Sequence, residues 1–221
     1  MKTIVTLLLL CITYTGFGKS KPAYEKLCEV NKCWTEQPDV NQLAYPEYDN
    51  RSEHEWIRTH LSLVEQTLRA RSTSHLSAQQ QANRLNALAH LNQYWHEGNF
   101  PVNDQYNYRT PIFIDKYDNF CAVGYLVKAT GFEQVSRKIA AQTNLAYVRE
   151  MNYPELFAWA TEYGFTVDEL AWIQPGYGWV SYAKPMGKGT DGEVYELYVD
   201  KAGDKLYVGG NFGKVDSTIV A

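Results

Sequence analysis

Apolar residues recur at helical spacing through most of the chain, and the points where that rhythm begins carry side chains able to cap a helix. Four segments place Ser or Thr three residues before Glu or Gln: Ser52 with Glu55, Ser77 with Gln80, Thr130 with Glu133, and Thr166 with Glu169. At that spacing the hydroxyl accepts from one orphan backbone N–H while the acid or amide reaches back to another, so each pair predicts a helix start. Behind the first pair, Ile57, His60, Leu61, Val64 and Leu68 form one stripe; behind the second, Leu85, Leu88, Ala89, Asn92 and Trp95 do the same. The second helix is predicted to stop at Gly98, with Pro101 barring continuation. Further helices are predicted from Phe132 to Ala141, with Val135 and Ile139 inward, and from Pro154 to Tyr163, with Leu156, Trp159, Ala160 and Tyr163 inward. A last helix, Val167 to Ile173, ends at Gln174-Pro175-Gly176. Near the N-terminus a helix is predicted from Tyr24 to Trp34, with Tyr24, Leu27, Cys28 and Asn31 on its buried stripe and Cys33 pointing away.

Two stretches break the helical rhythm. From Arg109 to Val127 a short β-branched and aromatic run, Pro111-Ile112-Phe113-Ile114, is followed by turn chemistry at Asp118-Asn119 and then by Phe120-Cys121-Ala122-Val123. Both a small hairpin and a strand, a turn and a helix opening at Cys121 fit this run. After Gly176, glycines at 178, 187, 189 and 192 mark a linker, and Val194 to Asp200 then alternates at period two. The turn Lys201-Ala202-Gly203-Asp204 leads into Lys205 to Phe212, which predicts a second hairpin.

The segment from Gly192 to Phe212, with Leu206-Tyr207-Val208-Gly209-Gly210-Asn211-Phe212 at its heart, resembles one unit of the repeats of galactose-oxidase-type and kelch-type β-propellers. A blade of such a propeller has four strands, so the resemblance implies that residues 192–221 are an incomplete repeat within a longer protein and that the hairpin needs neighbours to cover it. The helical region, through Phe113-Ile114-Asp115, Cys121-Ala122-Val123-Gly124-Tyr125-Leu126 and Ile173-Gln174-Pro175-Gly176-Tyr177, resembles an uncharacterised domain of exported bacterial proteins. That resemblance implies an address and no mechanism. The expected fold is therefore mainly α: a helical domain over 19–177 with a small β-hairpin, a Gly-rich linker over 178–191, and a truncated propeller-like repeat over 192–221.

Residues 1–18 read as a removable signal peptide, with Lys2, an apolar run from Ile4 to Ile12, and small Gly16 and Gly18 before the expected cut. The run is too short for a transmembrane helix, which needs about 20 apolar residues. The expected location is secreted, periplasmic or at the cell surface. A net charge of −4 with no basic run argues against nucleic acid as a partner; a protein or glycan at the cell surface is the partner class expected. The aromatic content, 14% of residues, supplies a core and argues against disorder.

Without the leader, Cys28, Cys33 and Cys121 remain, so at most one intramolecular disulfide can form. Cys28 and Cys33 are too far apart on a regular helix for a bridge, and Cys28 to Cys121 is the expected bond. Cys121 is also the one candidate nucleophile, because a cysteine at a helix N-terminus has its thiol pKa lowered. A base and an orienting group are then required. All five histidines precede Cys121, and His60 or His96 as base with Asp115 as orienter completes that alternative, a Cys-dependent hydrolase or transferase. The competing reading of Cys121 is a small buried hydrophobe. No histidine pair or cysteine pair has metal-ligand spacing and no cofactor motif occurs, so neither a metal nor a cofactor is expected. Tyr177, Trp179 and Tyr182 fall in the Gly-rich stretch and form a candidate binding platform, whereas Trp159 and Trp172 lie on helical stripes and are expected in the core. The leading expectation is a non-enzymatic binding or scaffolding module preceding a β-propeller.

Overall fold

The computed structural model describes residues 23–37, 51–180, 190–200, 205–215 and 218–219. The expected leader, Tyr182, most of the expected linker and the residues at 201–204 lie outside them. The chain is mainly helical, with a small two-stranded antiparallel hairpin. It divides into two compact units between Val180 and Ser181, which are taken in turn.

The first unit contains α1 (Ala23–Val30), a 3₁₀ turn (Lys32–Glu36), α2 (Glu53–Ala70), α3 (Ala78–Glu97), α4 (Ala122–Val127), α5 (Glu133–Thr143), α6 (Pro154–Glu162) and α7 (Val167–Ile173). Reciprocal capping boxes open three of them, at Ser52, Ser77 and Thr166, as the spacing predicts. The fourth expected box is absent. Thr130 lies in a π turn (Lys128–Phe132) that continues α4 toward α5, and its hydroxyl donates to the carbonyls of Leu126 and Val127 and accepts from Trp159 Nε1. Gly131, at φ 97°, turns the chain there instead.

The core forms around α2, which packs against α1, α3 and α7. Ile57, His60, Leu61, Val64 and Leu68 are all buried, as the stripe predicts, together with Trp56, Leu63, Glu65 and Thr67. Around them Trp34, Tyr94, Phe113, Trp159 and Trp172 are enclosed; full burial of such a side chain stabilises by about 1.5–3 kcal/mol each. Helix α3 is rotated from its expected face: Arg84, Ala87, Leu88, Leu91 and Tyr94 are buried, while Leu85 is 57% exposed. The cause is polar. Arg84 turns inward to a bidentate pair with Glu169, 2.8 Å on both arms, donates to the Gly164 carbonyl at 2.7 Å, and lies over the Phe165 ring. On the other side Asn92 and Trp95 donate to the buried carboxylate of Glu65, at 2.9 and 2.7 Å, joined by Arg69 at 2.7 Å. A buried carboxylate without such donors would cost several kcal/mol.

Helix α1 ends earlier than expected. Asn31 leaves helical geometry at φ −151°, ψ 118°, and its Oδ1 accepts from Cys33 N. Its Nδ2 donates to the carbonyls of Ala171, Trp172 and Gln174 at 2.9, 3.0 and 2.7 Å. The break rotates the following turn, so Cys33 is buried and Cys28 is the half-exposed one, the reverse of the regular-helix expectation.

Of the two readings open for 109–127, the structure has the turn and the helix, with single bridges where the strand was expected. Single bridges join Ile114 to Phe120, Thr110 to Tyr177 and Asn103 to Trp179, and α4 begins with Cys121 as its N-cap. The second unit is built on β1 (Glu193–Asp200) and β2 (Lys205–Asn211), paired antiparallel from Glu193↔Asn211 to Asp200↔Lys205 with an irregularity between Val194 and Glu196. Gly210 is required there, because a Cβ would collide with the Glu193 carbonyl. A second pair, β3 (Lys214–Val215) and β4 (Thr218–Ile219), follows. Val194, Tyr195, Leu197, Tyr198 and Tyr207 are all exposed, so both faces of the β1–β2 hairpin present large apolar side chains.

Candidate functional site

Cys121 does cap α4: its Sγ accepts from Gly124 N at 3.3 Å. The surroundings remove it from chemistry. The residue has no exposed surface, and burial pushes its thiol up to about 12 against the lowering effect of the Gly124 and Val123 amides. A helix N-terminus lowers a thiol pKa only where the thiolate is also solvated or paired; here desolvation dominates.

His60 sits in another neighbourhood. Its Nδ1 accepts from Trp34 Nε1 at 2.8 Å, which leaves the proton on Nε2, facing the backbone of Trp172 and Ile173 outside hydrogen-bonding geometry. Burial lowers its pKa to about 3, opposed by that backbone and reinforced by the Arg109 charge. His96 is on the exposed side of α3, with Nδ1 on the Asn92 carbonyl and its ring stacked on Trp95. Asp115 is a turn former: its two oxygens accept from the amides of Val102, Tyr117 and Asn119 and from the Asn119 side chain, all at 2.9–3.0 Å. No base and orienter converge on the thiol.

The expected Cys28–Cys121 disulfide is not formed, because Cys28, Cys33 and Cys121 are all free. Cys28 faces a groove beside α1 while Cys121 is sealed under α4. The aromatic platform also changes. Tyr177 is 1% exposed and belongs to the core, its hydroxyl enclosed beside that of Tyr94; Trp179 is 53% exposed. Among the described residues no group of three or more His, Cys, Asp or Glu is placed to hold a metal ion, and no helix is long and apolar enough to cross a membrane.

A groove of about 1030 Å³ lies beside α1 and its 3₁₀ turn, within the helical unit. Its walls are assembled from distant segments. Tyr24 and Cys28 come from α1, Cys33 from the turn, Tyr147 from the segment after α5, and Ala171 and Gln174 from α7 and its end. Gln174 holds the far wall in place: Oε1 accepts from Val148 N at 2.9 Å and Nε2 donates to the Ala146 carbonyl, which sets Tyr147 on the rim. Burial raises the thiols of Cys28 and Cys33 and the phenol of Tyr147.

Both arginines of the groove are already committed, while Lys32 stands exposed at its edge. Arg149 binds Glu36 and Asp168. Arg109 makes a bidentate pair with Glu53 at 2.6 and 2.7 Å and donates to the Gly176 carbonyl, while Glu53 also accepts from Gly178 N. What remains is an apolar and aromatic channel edged by these ion pairs and by the side chains of Glu25 and Lys32. Of this lining the sequence places Tyr24, Cys28 and Asn31 on one helical stripe, and only Cys28 was a candidate site residue, for a disulfide. The missed signal was Asn31, whose amide can both break α1 and hook a second segment.

Compared with protein-family models, curated proteins and solved structures, the chain matches none.

Proposed function

We propose that the chain is an exported binding module, in which a helical unit takes its ligand in the groove beside α1 and precedes a β-propeller-like repeat. The groove carries this reading. Its volume suits a small molecule or a short peptide segment, its exposed lining is largely apolar with tyrosines at the edge, and its two arginines are held in ion pairs. Recognition there rests on shape and apolar contact, so the ligand class is an uncharged group bearing aromatic or branched aliphatic surface. The leader at 1–18 supports export, and the two apolar faces of the β1–β2 hairpin support a repeat covered by neighbouring strands. The buried thiol of Cys121, raised to about 12, favours binding over the alternative of a thiol-dependent hydrolase or transferase.

Ligand-observed NMR on the full chain with a library of small aromatic and branched aliphatic fragments tests the groove. The measurement is repeated after Cys28 has been alkylated with N-ethylmaleimide. Fragments that bind the free thiol form and are displaced from the alkylated form support the reading. Absence of binders, or binding indifferent to alkylation, overturns it. Export is read separately, by mass spectrometry of the N-terminus: a chain beginning near Lys19 in the envelope or medium is expected, and a chain retaining Met1 in the cytosol rejects it.

A further inference from the structure

A second, smaller cavity of about 260 Å³ lies beside the loop between α3 and α4 and shares no lining residue with the groove. Asn103 builds this loop from inside. Buried, it accepts from Tyr106 N at 3.0 Å and donates to the carbonyls of Tyr108 and Tyr177 at 2.8 and 3.0 Å, folding residues 103–108 into a tight turn. The turn displays Asp104, Gln105 and Tyr106 on the cavity, and Tyr108 next to Tyr106 at 5.8 Å between rings. Lys116 and Asn144 also line the cavity, the Asn144 side chain being held by both backbone groups of Ile114.

Asp104 and Lys116 cancel each other's charge but keep hydrogen-bonding capacity, while Asp115, the other acid on the wall, has both oxygens filled by four N–H donors. Lys116 Nζ lies 2.6 Å from Asp104 Oδ2, which also accepts from the Tyr117 hydroxyl at 3.2 Å. The second carboxylate oxygen, Oδ1, is left able to accept, and the ammonium keeps further protons to donate. Gln105 is exposed and its amide has no protein partner, so it offers one acceptor and two donors at the rim. The half-buried Tyr106 ring supplies an apolar face with negative quadrupole, to which polarised C–H groups are drawn. A charged ligand would have to compete with the ion pair; a neutral ligand with adjacent hydroxyls can use both of its members as they stand. The cavity is close to the lower limit of ligand pockets, about 300 Å³, which restricts the occupant to one ring.

We propose that this cavity, walled by Asp104, Gln105, Tyr106 and Lys116, is a binding subsite for a neutral single-ring saccharide. The carboxylate oxygen and the ammonium take a pair of neighbouring hydroxyls, Gln105 takes a third, and the ring of Tyr106 packs on a C–H face of the sugar. The subsite is independent of the groove and of its ligand.

Saturation-transfer NMR on the full chain tests it with four probes: the methyl glycosides of glucose, galactose and mannose, and N-acetylglucosamine. Transfer to at least one of them is expected, with affinity falling about tenfold in Gln105→Ala or Tyr106→Ala, the loss that follows from one hydrogen bond or one ring contact. Gln105→Ala removes no intramolecular bond, so it separates loss of binding from loss of fold. Absence of transfer to all four probes overturns the proposal, as does binding unchanged in both variants. Tighter binding of glucuronate than of methyl glucoside overturns the assignment to a neutral ligand.

Discussion

Trp34 donates its indole N–H to Nδ1 of His60 across 2.8 Å, and neither residue has any exposed surface. The bond fixes the neutral tautomer of the imidazole and joins the turn after α1 to the middle of α2. Because the folded histidine resists protonation down to about 3 while an unfolded one titrates near its ordinary value of 6.5, acid favours the unfolded chain. The contribution is fully present above pH 6.5 and is lost progressively as pH falls toward 3, at up to about 1.4 kcal/mol per pH unit. Urea unfolding between pH 7.5 and 4.5 is therefore expected to show a falling midpoint, and His60→Gln, which keeps an acceptor for Trp34, to flatten the His60 share of that dependence. An imidazole NMR signal of His60 that titrates near 6.5 would refute the assignment.

Three thiols in three settings give a sharper reading by alkylation. Cys28, half-exposed in the groove, is expected to label in the native state, slowly at neutral pH because its thiol is raised by burial. Labelling of Cys33 should be slower, and Cys121 should react only after unfolding. Peptide mass mapping of native and denatured samples separates the three. Fast native labelling of Cys121 would restore it as a nucleophile.

Asn31 satisfies three carbonyls and caps its own turn. Asn31→Ala leaves those acceptors buried without donors and is expected to cost about 3 kcal/mol. Asn31→Asp is expected to be worse, since a carboxylate would face three carbonyl oxygens. Thermal unfolding of the two variants against the parent measures both.

The Arg84–Glu169 pair is buried, with side chains only 4% and 12% exposed. Burial alone would raise the Glu169 pKa; the bonds from Arg84, with Arg71 and the Thr166 amide, outweigh it and hold the carboxyl below its usual range. Removing one member strands the other, so Arg84→Met is expected to destabilise by about 3–5 kcal/mol. The double variant Arg84→Met/Glu169→Leu should recover most of that loss, and a double-mutant cycle in urea reads the coupling.

What could be read from the sequence was what short range decides. The boxes at Ser52, Ser77 and Thr166 each need only four consecutive residues to agree, and they hold. Thr130 has the same spacing, but its hydroxyl is taken by the preceding turn and by Trp159, a partner 29 residues away. The stripe of α2 is legible because it is apolar apart from His60. That of α3 is not, since its face is set by Arg84 meeting Glu169 across 85 residues and by Asn92 and Trp95 serving Glu65. Neither cavity could be found by pattern, because each is a junction of segments rather than a property of one. Tyr177 sits in a Gly-rich stretch and reads as surface, yet the Thr110 bridge draws it into the core.

The hook of Asn31 has one more consequence, which concerns time rather than energy. It closes a loop of 140 residues to the Ala171 carbonyl, and Val30 accepts from the amide of Gly176 still later in the chain. Helix α1 can meet α2 early, but its anchoring waits for α7, and a nascent chain halted before residue 171 lacks the carbonyls that Asn31 holds. The helical unit can be completed only when its final turn has been delivered, so the long-range closure of its opening segment comes late in synthesis.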